Sequence, residues 1–361
     1  MRDFFPDNTV YFPKDQQAMA DMIQEIYGIQ ITHCPQIFLN INLSWPQYDL
    51  PISADKYFLT FHTEQLDDDW VIRQALRVYP KPIMLLNDCN IVNNPQWPDN
   101  IIFVRWITWH QQLEFLSNYY GVNHNPTLPT HQLSSLSFRH SQYKKFITAW
   151  LLKNIELKKL ILTWHGHVAS NSHVHKHPSW ATWLDNLEIP NNQPTFINWS
   201  DNFNFLNNSP LHNGNWRQKP YIDALVNLTN ETFNYSQSIK DGQSYMYPGP
   251  YLSEKTYKPL LAGRPFVAIG QYQTLKTLTE LGFDTDFGWC ADYDNDAGDL
   301  TRIKKIFDTL EEINNCDIKQ LYEQSLPAVR HNANHIVSGN LKEHCCFLNQ
   351  TNQKQIIDFL C

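Results

Sequence analysis

The chain has 361 residues; 42% are hydrophobic, 14% aromatic and only 18% charged. That length suits two domains of ordinary size, and the composition excludes collagen-like, coiled-coil and generally disordered chains. A net charge of -8 argues against a protein that coats DNA through phosphate neutralisation, but it leaves room for a local basic site.

The elements alternate from the start. Ile29–Ser44 is β-branched enough for one or two strands, and Lys56–Phe61 reads as a short buried strand. A helical pattern follows through Trp70, Val71, Ala75, Leu76 and Val78, and Pro80 stops it. Pro82–Asn87 and Ile101–Ile107 read as strands, and His110–Tyr120 as a helix ending at Gly121. The polar stretch 122–131, with two prolines, reads as a linker. Strand Leu133–Phe138, helix Ser141–Lys153 and strand Leu160–Trp164 come next, and Thr195–Trp199 is a further strand. The last run alternates strand Ala224–Leu228, helix Glu254–Ala262, strand Pro265–Ile269 and helix Thr274–Leu281. Leu300–Ile313 and Ile318–Ala333 close it as helices. The expected class is α/β, with two Rossmann-like domains facing each other across a cleft. The expected boundaries are residues 1–129, 130–340 and a tail at 341–361.

No 18-residue apolar run occurs, because Arg105 interrupts the nearest candidate. The opening residues MRDFFPD lack the basic start and apolar run of a secretion signal. Seven scattered cysteines without a CxxC pair read as reduced thiols. A cytoplasmic protein without a membrane span is the expectation.

Chemistry concentrates in YLSEKTYKPLLAGRPFVAIG, residues 251–270. Ser253 can cap a helix whose first turn carries Glu254 and Lys255, with Lys258 three residues further on. The positive end of a helix beside two ammonium groups favours a phosphate, and a carboxylate there suits ribose hydroxyls. The same spacing also serves a plain surface helix start with a Glu254–Lys258 pair.

The run SEKTYKPLLAGRPFV resembles the donor-binding motif of the α1,3-fucosyltransferases and their phage and bacterial relatives. These are glycosyltransferases of the GT-B fold that use a nucleotide-diphosphate sugar, usually with inversion. The resemblance implies that Glu254 contacts ribose and Lys255 the diphosphate. It extends upstream: Leu133–Gly166 is similar to the family's first strand–Arg–helix–strand unit, which puts Arg139 on the phosphates. Glu231, in ALVNLTNETF, matches a position where relatives often carry an acid. Thr274–Phe283 resembles the helix and turn that follow.

Six Lys or Arg against one acid between Arg139 and Lys159 form a local basic run in an acidic chain. An inverting transfer needs a base beside the acceptor hydroxyl. Glu64, His62 and Asp88 are the candidates, since each follows a predicted strand and strand ends line the cleft in open α/β sheets. HGHVASNSHVHKH, residues 165–177, brings five histidines together, but no Cys or acid in the run completes a familiar metal set, so a polar loop is the expectation. His165 directly follows a strand and is a candidate donor or acceptor contact.

The expected function is transfer of a sugar from a GDP- or UDP-type nucleotide sugar to a hydroxyl acceptor, such as a glycan, with no obligatory metal or cofactor. Two other readings stay open: a non-catalytic nucleotide- or sugar-binding or virion-associated protein on the same fold, and a phage enzyme that glycosylates DNA bases. The acidic balance makes nucleic acid the less favoured partner.

Overall fold

The structure is a computed structural model. It describes residues 37–41, 49–50, 52–61, 68–87, 97–105, 113, 117–118, 120–137, 142–164, 195–198, 219–231, 237–240, 243–246, 250–338, 354–355 and 358–359. The fold is α/β with two largely parallel sheets, and the chain divides into two compact units. One comprises Met1–Gln111 with Lys342–Cys361, the other Gln112–Leu341.

The first unit holds a four-stranded sheet in the order β1 (Ile37–Ile41), β2 (Lys56–Phe61), β3 (Ile83–Asn87), β4 (Ile101–Arg105). All its pairings are parallel. Tyr57, Phe58, Leu59, Ile83, Met84 and Leu85 are buried irrespective of side-chain parity. Strands covered on both faces require such continuous apolar runs, which is why they were legible. Helix α1 (Asp68–Val78) crosses from β2 to β3 and buries Val71, Gln74, Ala75 and Val78, an i, i+3, i+4, i+7 stripe. Leu76, expected on that stripe, is 62% exposed. Gln74 takes the inner place because its amide is used: it accepts from Leu50 N at 2.8 Å and donates to Asp49 at 2.9 Å. Near the chain end, Phe359 O accepts from Lys56 Nζ at 2.9 Å within this unit.

The second unit contains β5 (His131–Ser137), α2 (Gln142–Asn154), β6 (Leu160–Trp164), β7 (Thr195–Ile197), α3 (Lys219–Asp223) and β8 (Ala224–Asn230). A hairpin of β9 (Gln237–Lys240) and β10 (Gln243–Met246) follows. Then come α4 (Glu254–Leu261), β11 (Phe266–Ile269), α5 (Thr274–Glu280), α6 (Asp299–Asn315) and α7 (Ile318–Val337). The main sheet has the order β11-β8-β5-β6-β7, with only β7 antiparallel. From β5 the chain moves through α2 to β6 on one side, and β8 then adds on the other side of β5. The strand order therefore reverses between β5 and β8, and such a reversal opens a crevice at the carboxyl ends of the strands.

The free edge of β11 is closed rather than exposed: Ala268 N donates to Tyr293 Oη at 3.2 Å. Burial drives the Tyr293 phenol far above its ordinary pKa, so it stays neutral in this role. Helix α6 is tied to the same strand by Arg302, whose guanidinium donates to Gly270 O at 3.2 Å and pairs with Asp299 at 2.6 Å.

Residues 122–131 carry no helix up to the start of β5, as the prolines imply, yet they are fastened to the second unit. Asn123 N donates to Leu261 O at 2.9 Å and Asn123 Nδ2 to Ala262 O at 3.0 Å. Arg264, 2% exposed, donates to Thr127 O at 2.8 Å and to Ile222 O at 2.6 Å. Burial lowers its pKa to about 10, so it remains charged at neutral pH. Gly263 makes this close approach feasible. It ends α4 with φ +64°, its N–H bonding Leu260 O and that of Arg264 bonding Pro259 O, the Schellman pattern. A Cβ at Gly263 would lie 2.4 Å from Asn123 O. The left-handed backbone alone costs an alanine roughly 1–2 kcal/mol, and the collision with backbone brings the total to about 3 kcal/mol. Denaturant unfolding of Gly263→Ala checks this, and an unchanged midpoint contradicts it.

Candidate functional site

β8 runs straight into Glu231, which is fully buried at the reversal point. Its carboxylate turns toward the start of α4. Oε1 accepts from Ser253 N at 3.2 Å and from the Thr256 hydroxyl, and Oε2 accepts from the Ser253 hydroxyl. Its backbone is held as well: the N–H donates to Ile269 O at 3.1 Å, and the Tyr143 hydroxyl from the first turn of α2 donates to its carbonyl. One residue thus joins the carboxyl end of β8, the end of β11, the start of α2 and the start of α4.

Ser253 is the N-cap of α4, in extended backbone, as its place before Glu254 implies. Its Oγ accepts from Lys255 N at 3.3 Å and from Lys255 Nζ at 3.2 Å. The Thr256 N–H bonds Ser253 O at 3.1 Å. The protein's own acceptors therefore meet the N–H groups of Ser253, Lys255 and Thr256, where the sequence led us to expect donors open to a phosphate. The cation at this turn is the partly exposed Lys255 ammonium, oriented by Ser253, which Glu231 holds in turn. Lys258 is 8% exposed, and its ammonium lies 5.8 Å over the Tyr221 ring, which places it inside the packing of α4 against α3. Glu254 is the first residue of the helix.

The basic run at 139–159 separates by position. Lys144 lies in the first turns of α2 and is 6% exposed. Lys153, Lys158 and Lys159 sit at the far end of α2 and before β6, at the opposite edge of the sheet. Lys158 pairs with Glu156 at 2.8 Å and Lys159 donates to Asn314 O at 2.9 Å. A linear count of charge had merged two ends of one helix.

Arg139, His165, Glu64, His62 and Asp88 lie outside the described residues, as does the histidine run 165–177. The first two follow β5 and β6 in the chain, and the other three follow β2 and β3. Sequence reasoning missed the β9–β10 hairpin between Glu231 and α4; its signal was the Asp241-Gly242 pair between two short polar strands. It also missed Tyr143 and Thr256, whose roles depend on partners far away in the chain. No described helix is long and apolar enough to cross a membrane. Comparison with family models, curated proteins and solved structures finds no match to this chain.

Proposed function

We propose that the chain is a glycosyltransferase of GT-B type that takes a sugar from a GDP- or UDP-type nucleotide sugar and passes it to a hydroxyl acceptor. The observation that carries this reading is the Glu231–Ser253–Lys255 arrangement at the strand-order reversal of the second sheet. Open α/β sheets bind ligands at that point. The motif that resembles a nucleotide-sugar site by sequence coincides with it. Two units, each with a parallel sheet, are compatible with the two halves of such an enzyme.

In this reading Lys255 lies against the diphosphate and offsets the charge that builds on it as the sugar leaves. Glu231 does not touch the donor. It fixes the turn that aims Lys255, so its part is positioning. Arg139, just past β5, adds a bidentate contact to the same phosphates. Glu254 binds the ribose. Lys258 supports the positive end of the site from beneath. His165 contacts the donor or the acceptor. A base, for which Glu64, His62 and Asp88 are the candidates, takes the acceptor proton as the new bond forms, with inversion at the sugar carbon.

The test is a panel of nucleotide sugars incubated with the intact protein, with release of free nucleotide followed in time. Turnover with one donor and retention of the others is the expected result. Tight nucleotide binding with no transfer or hydrolysis across the panel, acceptors included, would replace the enzyme by a binding protein.

A further inference from the structure

Three side-chain oxygens without a hydrogen-bond partner lie toward the carboxyl ends of adjacent strands of the second unit: Ser137 Oγ on β5, Thr163 Oγ1 on β6 and Asn230 Oδ1 on β8. Their residues are 1%, 0% and 2% exposed. A buried polar group that lacks a partner destabilises a fold, so natural proteins keep few of them without a use. Ser137 and Asn230 belong together. Ser135 pairs with Leu228 across β5 and β8, and two residues further along both strands are Ser137 and Asn230. By strand alternation both lie on the same face, at the carboxyl ends of the two strands. Neighbouring strands stand about 4.8 Å apart, a spacing that one small ligand fragment can bridge. The Asn230 amide nitrogen already donates to Ser135 Oγ at 3.1 Å, which leaves its oxygen as an acceptor. Asn230 also immediately precedes Glu231, so strand alternation turns its side chain to the face opposite the carboxylate that anchors the α4 turn.

We infer that Ser137 and Asn230 form a hydroxyl-binding subsite at the carboxyl ends of β5 and β8, in which the Asn230 oxygen accepts from, and the Ser137 hydroxyl bonds to, neighbouring hydroxyls of a sugar ring in the nucleotide ligand. A carbonyl oxygen repels ionised phosphate, so this pair reads the ribose or the transferred sugar and leaves the diphosphate to Lys255. The inference rests on the nucleotide-sugar reading of the same edge. Thr163 supplies an internal comparison. It is equally buried and equally without a partner, but it pairs in register with Leu136 and so faces the other side of the sheet.

Thermal unfolding and calorimetric titration with GDP, UDP, their 2′-deoxy forms and the corresponding nucleotide sugars are measured on the intact protein and on Ser137→Ala, Asn230→Ala, Thr163→Val and Lys255→Ala. Ser137→Ala is expected to leave Tm unchanged or raise it by about 2 °C, since it removes a hydroxyl without a partner. It is also expected to weaken binding about tenfold. Thr163→Val should raise Tm similarly with binding intact. A 2′-deoxy penalty that disappears in Ser137→Ala and Asn230→Ala assigns the pair to ribose; a lost difference between nucleotide and nucleotide sugar assigns it to the transferred sugar. Lower Tm with unchanged affinity in Ser137→Ala identifies a structural hydroxyl and overturns the inference. If no nucleotide binds the unaltered protein, the nucleotide-sugar reading itself fails; if Lys255→Ala weakens binding but Ser137→Ala and Asn230→Ala do not, only the subsite fails.

Discussion

Glu231→Ala is expected to destabilise the protein by about 3–5 kcal/mol, the effect of leaving several buried donors unmet. Its carboxylate is the acceptor for the Ser253 N–H, the Ser253 hydroxyl and the Thr256 hydroxyl, all buried. Alanine leaves those donors closed from water and opens a cavity at the meeting point of β8 and α4. It also removes a negative charge from the positive end of a helix, where such a charge is favourable by roughly 0.3–1 kcal/mol or more when partly buried. Glu231→Gln keeps the volume and one carbonyl acceptor, so about 1–2 kcal/mol is expected. Urea unfolding of both variants checks the order. An alanine variant as stable as the original would mean that the α4 turn holds without its anchor.

Lys255→Ala is expected to leave stability nearly unchanged while weakening nucleotide-diphosphate binding roughly 100-fold, the scale of a lost charge-assisted contact to phosphate. The ammonium is partly exposed, and Ser253 Oγ keeps its bonds to the Lys255 N–H and to Glu231 when the side chain is removed. Ser253 Oγ gives up its contact with the Lys255 ammonium but keeps these two, so the larger loss is expected on the ligand side. Calorimetric titration of this variant beside Lys258→Ala separates the two lysines. Lys258, packed over Tyr221, should affect stability more than affinity. The opposite pattern would transfer the phosphate role from Lys255 to Lys258.

Several strands were legible because parallel strands buried on two faces appear as short unbroken apolar runs. KYFLTF and LILTW became β2 and β6 with the bounds expected. The SEKTYKP start was equally legible, since a capping serine before a helical run is a local signal. What escaped was set by distance. Nothing near Gln74 in the chain indicates that its amide will be taken by Asp49 and Leu50, 25 and 24 residues away, so Leu76 looked like the better core residue. Glu231 was expected as a donor contact only through the resemblance, at a position where relatives often carry an acid. Its acceptors were claimed instead by Ser253 and Thr256, beyond an intervening hairpin. Counting charge along α2 merged Lys144 with Lys158 and Lys159, because a linear count ignores that the helix carries them to opposite edges of the sheet.

In the proposed function the carboxyl edge between β5 and β8 binds a nucleotide diphosphate. Hydrogen exchange of the intact protein, with and without saturating GDP or UDP, addresses it most directly. Slowed exchange is expected to concentrate in the amides of 230–231 and 253–256, with the amino ends of the same strands unchanged. Protection that appears elsewhere, or no protection at concentrations where calorimetry shows binding, would contradict it.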